Sequence, residues 1–119
     1  MTRPKTIFCD IDGTLVEHMK PNIAANSFSR MKLLSGTIQK LNEWDSKGYN
    51  IILTSGRKES MREQTKKQLA DVGIIYDQLI MGIGGGTRVL INDLKVSSSV
   101  PTAIALCVDR NKGIQDLVV

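Results

Sequence analysis

The chain reads as an α/β protein with a Rossmann-like parallel sheet flanked by helices, and three observations predict it. Short apolar runs at residues 6–9, 49–54 and 79–81 alternate with two helical patterns, the order that gives parallel strands joined by right-handed crossovers. Three polar clusters fall where strands should end: Asp10 with Asp12, Thr54-Ser55-Gly56-Arg57, and Asn92-Asp93. Sheets of this kind bind ligands beyond the C-terminal ends of their strands, near the switch point in strand order. The length of 119 residues, with 41% hydrophobic and 24% charged residues, suits a single soluble domain over residues 1–119 with one modest core.

Each element has its own signal. Thr6-Ile7-Phe8-Cys9 is a short buried strand, broken by Gly13. Residues 16–35 show no sustained period and carry Pro21 with several Asn and Ser, which predicts a long flap with room for a short hairpin. A loop this long in a compact domain is usually functional or mobile. A helix is expected from Thr37 to Lys47, with Ile38, Leu41 and Trp44 as its apolar stripe and Gly48 as its stop. Tyr49 to Thr54 is a second buried strand. A second helix runs from Lys58 to Val72, with Met61, Leu69 and Val72 inward and Glu63 paired to Lys67. Leu79-Ile80-Met81 is a third strand, Arg88 to Asn92 a fourth, and Ala103 to Val108 a fifth at the sheet edge.

The chemistry concentrates at Asp10-Ile11-Asp12-Gly13-Thr14. Side chains two apart on a strand share a face, so both carboxylates converge on one point. Anions held that close raise each other's pKa unless a cation or a proton compensates, and Mg²⁺ is a natural compensator. A plain surface turn is the bland alternative, since Asp and Gly are common turn formers. A calcium loop is excluded, because Leu15 and Val16 stand where further ligands would be needed. The preceding strand therefore favours a phosphate-and-metal site.

Composition bounds the partners. A formal charge of +4 suits an anionic substrate such as a phosphate ester and is too small to demand nucleic acid. Phe8, Phe28, Trp44, Tyr49 and Tyr76 leave little for a base-stacking platform. No apolar run approaches the length of a membrane span and no signal-peptide pattern opens the chain, so the expected location is cytoplasmic. Cys9 and Cys107 both lie in apolar runs and are expected to be buried thiols. Two distant cysteines and His18 cannot supply a zinc site.

Three segments together resemble the haloacid dehalogenase-like phosphohydrolases. Cys9-Asp10-Ile11-Asp12-Gly13-Thr14-Leu15 is similar to the first motif of that superfamily, Ile51-Ile52-Leu53-Thr54-Ser55-Gly56-Arg57 to the second, and Val89-Leu90-Ile91-Asn92-Asp93 to the acidic last motif. The resemblance covers about residues 5–95. It implies that Asp10 is the nucleophile, forming an aspartyl-phosphate, and that Asp12 is the general acid and then the base. It implies Mg²⁺ held by the Asp10 carboxylate, the Asp12 backbone carbonyl and Asp93. Thr54 and Ser55 compete for the phosphate-binding hydroxyl, with helix capping as the bland role for either. The third motif's Lys or Arg is missing from its expected place, where Ile83 stands; Arg88 is the leading substitute, followed by Arg57, Lys66 and Lys95. The run Gly84 to Gly86 has no Lys-Ser/Thr pair after it, so it reads as a flexible turn rather than a P-loop. Asn92 stands where some relatives carry a second Asp, which leaves the number of anionic metal ligands open.

No insertion is long enough for a separate cap domain. Only the flap could cover the site. Capless relatives often either act on large substrates or oligomerise so that a neighbour covers the site, and the chain resembles the small tetrameric phosphatases that act on 3-deoxy-octulosonate 8-phosphate and related sugar phosphates. The leading expectation is a Mg²⁺-dependent phosphomonoesterase for a sugar phosphate or other small phosphorylated metabolite, working as a homo-oligomer such as a tetramer. Nucleotide or nucleic-acid-end phosphatase activity is the alternative within the enzyme class, drawing on Lys20, Arg30 and Lys32 in the flap. A non-catalytic phosphate-binding protein on the same fold is the alternative outside it. Binding alone would not need an acid placed for a leaving group.

Overall fold

The computed structural model describes residues 3–26, 28–97 and 99–119. Three parallel strands form one sheet in the order β1-β2-β3: β1 is Thr6–Asp10, β2 Asn50–Thr54 and β3 Gln78–Ile80. A short helix α1, Pro21–Ala24, lies in the flap. Helix α2, Thr37–Ser46, connects toward β2. One 3₁₀ turn, Glu59–Met61, leads into α3, Arg62–Asp71, ahead of β3. The two expected helices and three of the expected strands are therefore present, with ends shifted by a residue or a few.

The central strand explains the layering. Ile51, Ile52 and Leu53 of β2 are all buried, the unbroken apolar run of a parallel strand covered on both faces. Leu41 and Trp44 of α2 and Leu69 of α3 are buried in the same core. Ile38, Met61 and Val72 pack partly buried against it, so both apolar stripes face inward as expected. Ile11, Leu15 and Val16 are fully buried too. The turn that carries the two aspartates is thus rooted in the core by Cys9, Ile11, Leu15 and Val16, whereas Phe8 of β1 is 54% exposed, so the first strand is not the buried strand its apolar run suggested.

Register then sets the site. Asp10 is the Cα partner of Thr54, and Thr54 of Ile80. Three strand ends meet along one edge, the C-terminal edge of the sheet.

Several expectations are corrected. Arg88–Asn92 and Ala103–Val108 are not strands; Val89, Ile91 and Ile104 are 80%, 88% and 64% exposed. An apolar run becomes a strand only when a neighbour pairs its backbone, and sequence pattern carries no information about that neighbour. Here the Asn92 amide donates to the Thr102 carbonyl and the Thr102 hydroxyl to the Asp93 carbonyl, so the two runs are tied to each other. Cys9 is buried and its thiol pKa is pushed up to about 12 by burial and then by the Asp10 charge, whereas Cys107 is exposed. Glu63 pairs with Lys66, and Lys67 with Asp71, in place of the expected Glu63–Lys67 pair. No helix among the described residues is long and apolar enough to cross a membrane.

The flap has a definite root. Val16 and Leu33 form an antiparallel bridge, and the Glu17 amide donates to the Lys32 carbonyl at 2.9 Å. That is a hairpin neck. Beyond it, the carbonyl of Ala24 accepts from the side-chain amides of Gln64 and Gln68, which lays α1 over α3. Ser27 lies outside the described residues.

Candidate active site

The aspartate turn is wound by its backbone. The amides of Thr14, Leu15 and Val16 all point at the Ile11 carbonyl, and the Gly13 amide donates to the Val16 carbonyl at 2.8 Å. Gly13 has φ +87°, in the left-handed region that a side chain resists. The chain can therefore reverse directly after Asp12, leaving both carboxylates at the mouth of the sheet.

Asp10 opens to solvent at the end of β1. Its carboxyl accepts from the Thr14 hydroxyl at 3.3 Å. The pKa of Asp10 is raised, chiefly because the surrounding protein removes water from the carboxyl. The Ile11 amide and the Thr14 hydroxyl counter this, Asp12 adds to it, and Arg88 counters it from across the mouth. The expected mutual repulsion of the two acids is present but is a lesser cause than burial.

Asp12 is partnered by Arg57, which the sequence marks only as a candidate phosphate-binding cation, ranked after Arg88, and not as a partner of Asp12. Arg57 grips it with two hydrogen bonds, Nη2 to Oδ1 at 2.8 Å and Nε to Oδ2 at 2.9 Å. The guanidinium is 6% exposed. Its remaining Nη1 donates to the Thr65 hydroxyl at 3.1 Å and to the Gln68 carbonyl oxygen at 2.7 Å. Met19 of the flap places its sulfur 3.5 Å from Nη2. A buried cation needs this degree of satisfaction, and a planar two-pronged group supplies it where Lys could not. Thr65 and Gln68 are buried on α3 for this purpose. Their spacing from Met61, Leu69 and Val72 was the signal in the sequence, since it puts two polar residues on the apolar face.

Thr54 and Ser55 divide the second motif between them. Thr54 is in register with Asp10 and half-buried. Ser55 is buried, and its hydroxyl accepts from the Arg57 amide at 3.0 Å, a local turn that sends the chain away from the strand. Gly56 follows because nothing larger fits: a Cβ there would sit 2.7 Å from the Gly84 carbonyl oxygen. The glycine run is thereby pressed against the second motif. Its carbonyls, those of Gly84 and Gly86, accept from Arg88. Gly84 and Gly86 thus hold a cation, and their carbonyl oxygens are turned toward it rather than toward an anion.

Asp93 is exposed, and residues 88–92 that lead to it do not form the expected strand. Among the described residues no group of three His, Cys, Asp or Glu side chains able to hold a metal ion forms; the expected set uses two carboxylates, those of Asp10 and Asp93, with the Asp12 backbone carbonyl. Lys66 lies exposed on α3, paired with Glu63.

Two carboxylates at the C-terminal edge of a parallel sheet, one of them held by an arginine from the second strand's end, agree with the phosphatases of the haloacid dehalogenase superfamily, to which the family comparison assigns the chain. Residues 4–88 match the family model of the polynucleotide kinase PNKP phosphatase domain, and the chain belongs to that family. Among solved structures, a chain of the Pnkp1/Rnl/Hen1 complex is 33% identical over 71% of this chain and 30% of its own, with a TM-score of 0.57. A chain of the Pnkp1/Rnl/Hen1 RNA repair complex is 34% identical over 66% of this chain and 25% of its own, with a TM-score of 0.55. This chain thus spans less than a third of either one. A structure from Vibrio cholerae, 18% identical over 75% of this chain and 79% of its own, shares the fold at a TM-score of 0.53. A search of curated proteins returned no match.

Proposed function

We propose that the chain hydrolyses phosphate monoesters through an aspartyl-phosphate on Asp10. The observation that carries this is the pairing of an accessible, poorly hydrated carboxylate at Asp10 with a fixed second carboxylate at Asp12. An Asp10 oxygen attacks phosphorus, the bond from phosphorus to the leaving oxygen breaks, and Asp12 delivers the proton that oxygen needs. Asp12 then accepts a proton from water as the water attacks phosphorus and the Asp10–phosphorus bond breaks. Both oxygens of Asp12 are on Arg57, so one of those bonds must loosen while Asp12 carries the proton. Thr54 offers its hydroxyl beside Asp10 for the phosphoryl oxygens, Ser55 shapes the turn, and Arg88 supplies positive charge at the mouth.

The donor set fits Mg²⁺. That ion keeps most of its water and binds through one or two carboxylates plus substrate oxygens, which matches the Asp10 carboxylate with the Asp12 backbone carbonyl. When bound it would neutralise charge on the transferring phosphoryl group. Asp93 would add the second carboxylate that the family resemblance implies.

For the substrate we propose the phosphorylated end of a nucleic acid. The family match and the two RNA-repair relatives support it. A cleft of about 440 Å³ in the flap adds the cations Lys20 and Arg30 to a largely apolar lining, with Lys32 paired to Glu17 at 3.5 Å. Met19 lies in the same cleft and touches Arg57, which puts the cleft next to the site. A small sugar phosphate is the second reading, favoured by the scarcity of aromatic side chains for stacking. Turnover of phosphorylated oligonucleotides, nucleotides and sugar phosphates, with and without Mg²⁺, tests both. Turnover of sugar phosphates with none of oligonucleotide ends would reverse the order, and no turnover of any ester with Mg²⁺ would refute the enzyme.

A further inference from the structure

The segment from Asp109 to Leu117 lies beyond the residues that match the family model, yet it returns to the catalytic turn. Asn111 is the residue that makes the connection. Its amide donates to the Gly13 carbonyl at 2.8 Å. Its side-chain oxygen accepts from the His18 amide, also at 2.8 Å. To face both ways Asn111 takes φ +63°, and no other non-glycine residue among those described has a positive φ. Asn tolerates that conformation better than most residues, but it is still a cost that surrounding contacts must offset.

Those contacts are present on both sides. The Arg110 side chain covers Gly13, with Cγ 3.3 Å from where a Cβ would stand. The Ile114 amide donates to the Ser35 carbonyl at 3.0 Å, and Ile114 is 1% exposed. The segment is therefore a strap across the flap's two roots, holding His18 on one side and Ser35 on the other. From His18 the path to the chemistry is one residue long. Met19 rests its sulfur on the Arg57 guanidinium, and that guanidinium holds both oxygens of Asp12.

We infer that Asn111 is a positioning residue, fixing the flap root so that Met19 and Arg57 hold Asp12 in line for proton transfer. The inference rests on the phosphatase reading above. The competing role is local, in which Asn111 serves only to shape the turn where the Lys112 amide reaches the Asp109 carbonyl. The two roles differ in which reaction they affect. A displaced proton donor slows an ester with a poor leaving group and spares one whose leaving group needs no proton. A loosened fold slows both alike.

Asn111→Gly separates them, because glycine accepts the left-handed backbone and keeps the amide bond to Gly13 while losing the bond to His18. We expect kcat for an alkyl phosphate to fall about tenfold, the scale of a small misplacement of a catalytic group, with KM little changed. Phosphoenzyme formation from an aryl phosphate, read in the pre-steady state, should lose less than about twofold, because that step needs no proton from Asp12. Asn111→Asp keeps an acceptor for the His18 amide and should restore most of the alkyl rate. Thermal melting of each full-length variant checks that the protein remains folded at the assay temperature. Equal losses in phosphoenzyme formation from both esters, or an alkyl rate unchanged in Asn111→Gly, would overturn the positioning role. Asp10→Asn assayed in parallel distinguishes the layers: if it retains activity, the phosphatase reading falls and takes this inference with it. If it is inactive, the Asn111 results stand on their own.

Discussion

Arg57 shows how one residue can tie stability to chemistry. Its buried pairing with Asp12 also satisfies Thr65 and Gln68, so removing it would leave a carboxylate and two polar groups without their partner. Breaking a buried pair from one side costs about 3 kcal/mol or more. Arg57→Met should lower stability by about that much in denaturant titration, and Arg57→Lys should recover little of it because a point charge cannot span both oxygens. Asp10 works in the opposite sense. Its pKa is raised above the ordinary 3.8, mainly by burial, so the folded state holds the proton more tightly than the unfolded chain. Stability is therefore lost as pH rises from the unfolded value through the raised folded one, and the loss persists above it. Asp10→Asn should melt higher than wild type at neutral pH without Mg²⁺, and the difference should shrink toward zero as the pH drops below 3.8. Asp12→Asn carries a kinetic signature instead: turnover of alkyl phosphates should collapse while phosphoenzyme formation from an aryl ester is much less affected, as pre-steady-state measurement would show.

At the scale of elements, the second helix was legible by its apolar positions, and its function lay in the polar ones. Met61, Leu69 and Val72 gave the inward face, and Thr65 and Gln68 on that face marked something buried that needs hydrogen bonds. The first motif was readable because its chemistry is local, with two carboxylates, a glycine and a strand all within a few residues. Arg57 was harder, since its partner is 45 residues away in sequence and an arginine after a strand is an ordinary surface feature by pattern alone. The strands expected at 88–92 and 103–108 mark the limit of pattern reading. Apolar alternation reports what a segment would bury if paired, and pairing is decided by the rest of the molecule. Asp93 took its expected place from that strand, which does not form. Nothing local in the sequence pointed to Asn111, whose contacts span 93 residues to His18.

The whole molecule leaves apolar surface that its own core does not take up. Phe28 in the flap is 93% exposed, and Val89, Ile91 and Val96 are each at least 80% exposed. Val89, Ile91 and Val96 lie on one stretch of chain and Phe28 on the flap, and exposed apolar side chains of this kind are a mark of association surfaces. We predict self-association at micromolar concentration, measurable as molar mass by light scattering, and reduced by Ile91→Lys with Phe28→Ser. A monodisperse monomer of 13.1 kDa would refute it. The central claim is covalent chemistry at Asp10, and rapid acid quench of the enzyme turning over a labelled phosphate ester, followed by peptide mapping, tests it most directly. The account predicts label on the peptide containing residue 10, released by hydroxylamine as an acyl phosphate and absent from Asp10→Asn. Label on Ser55 or His18, or full turnover by Asp10→Asn, would contradict it.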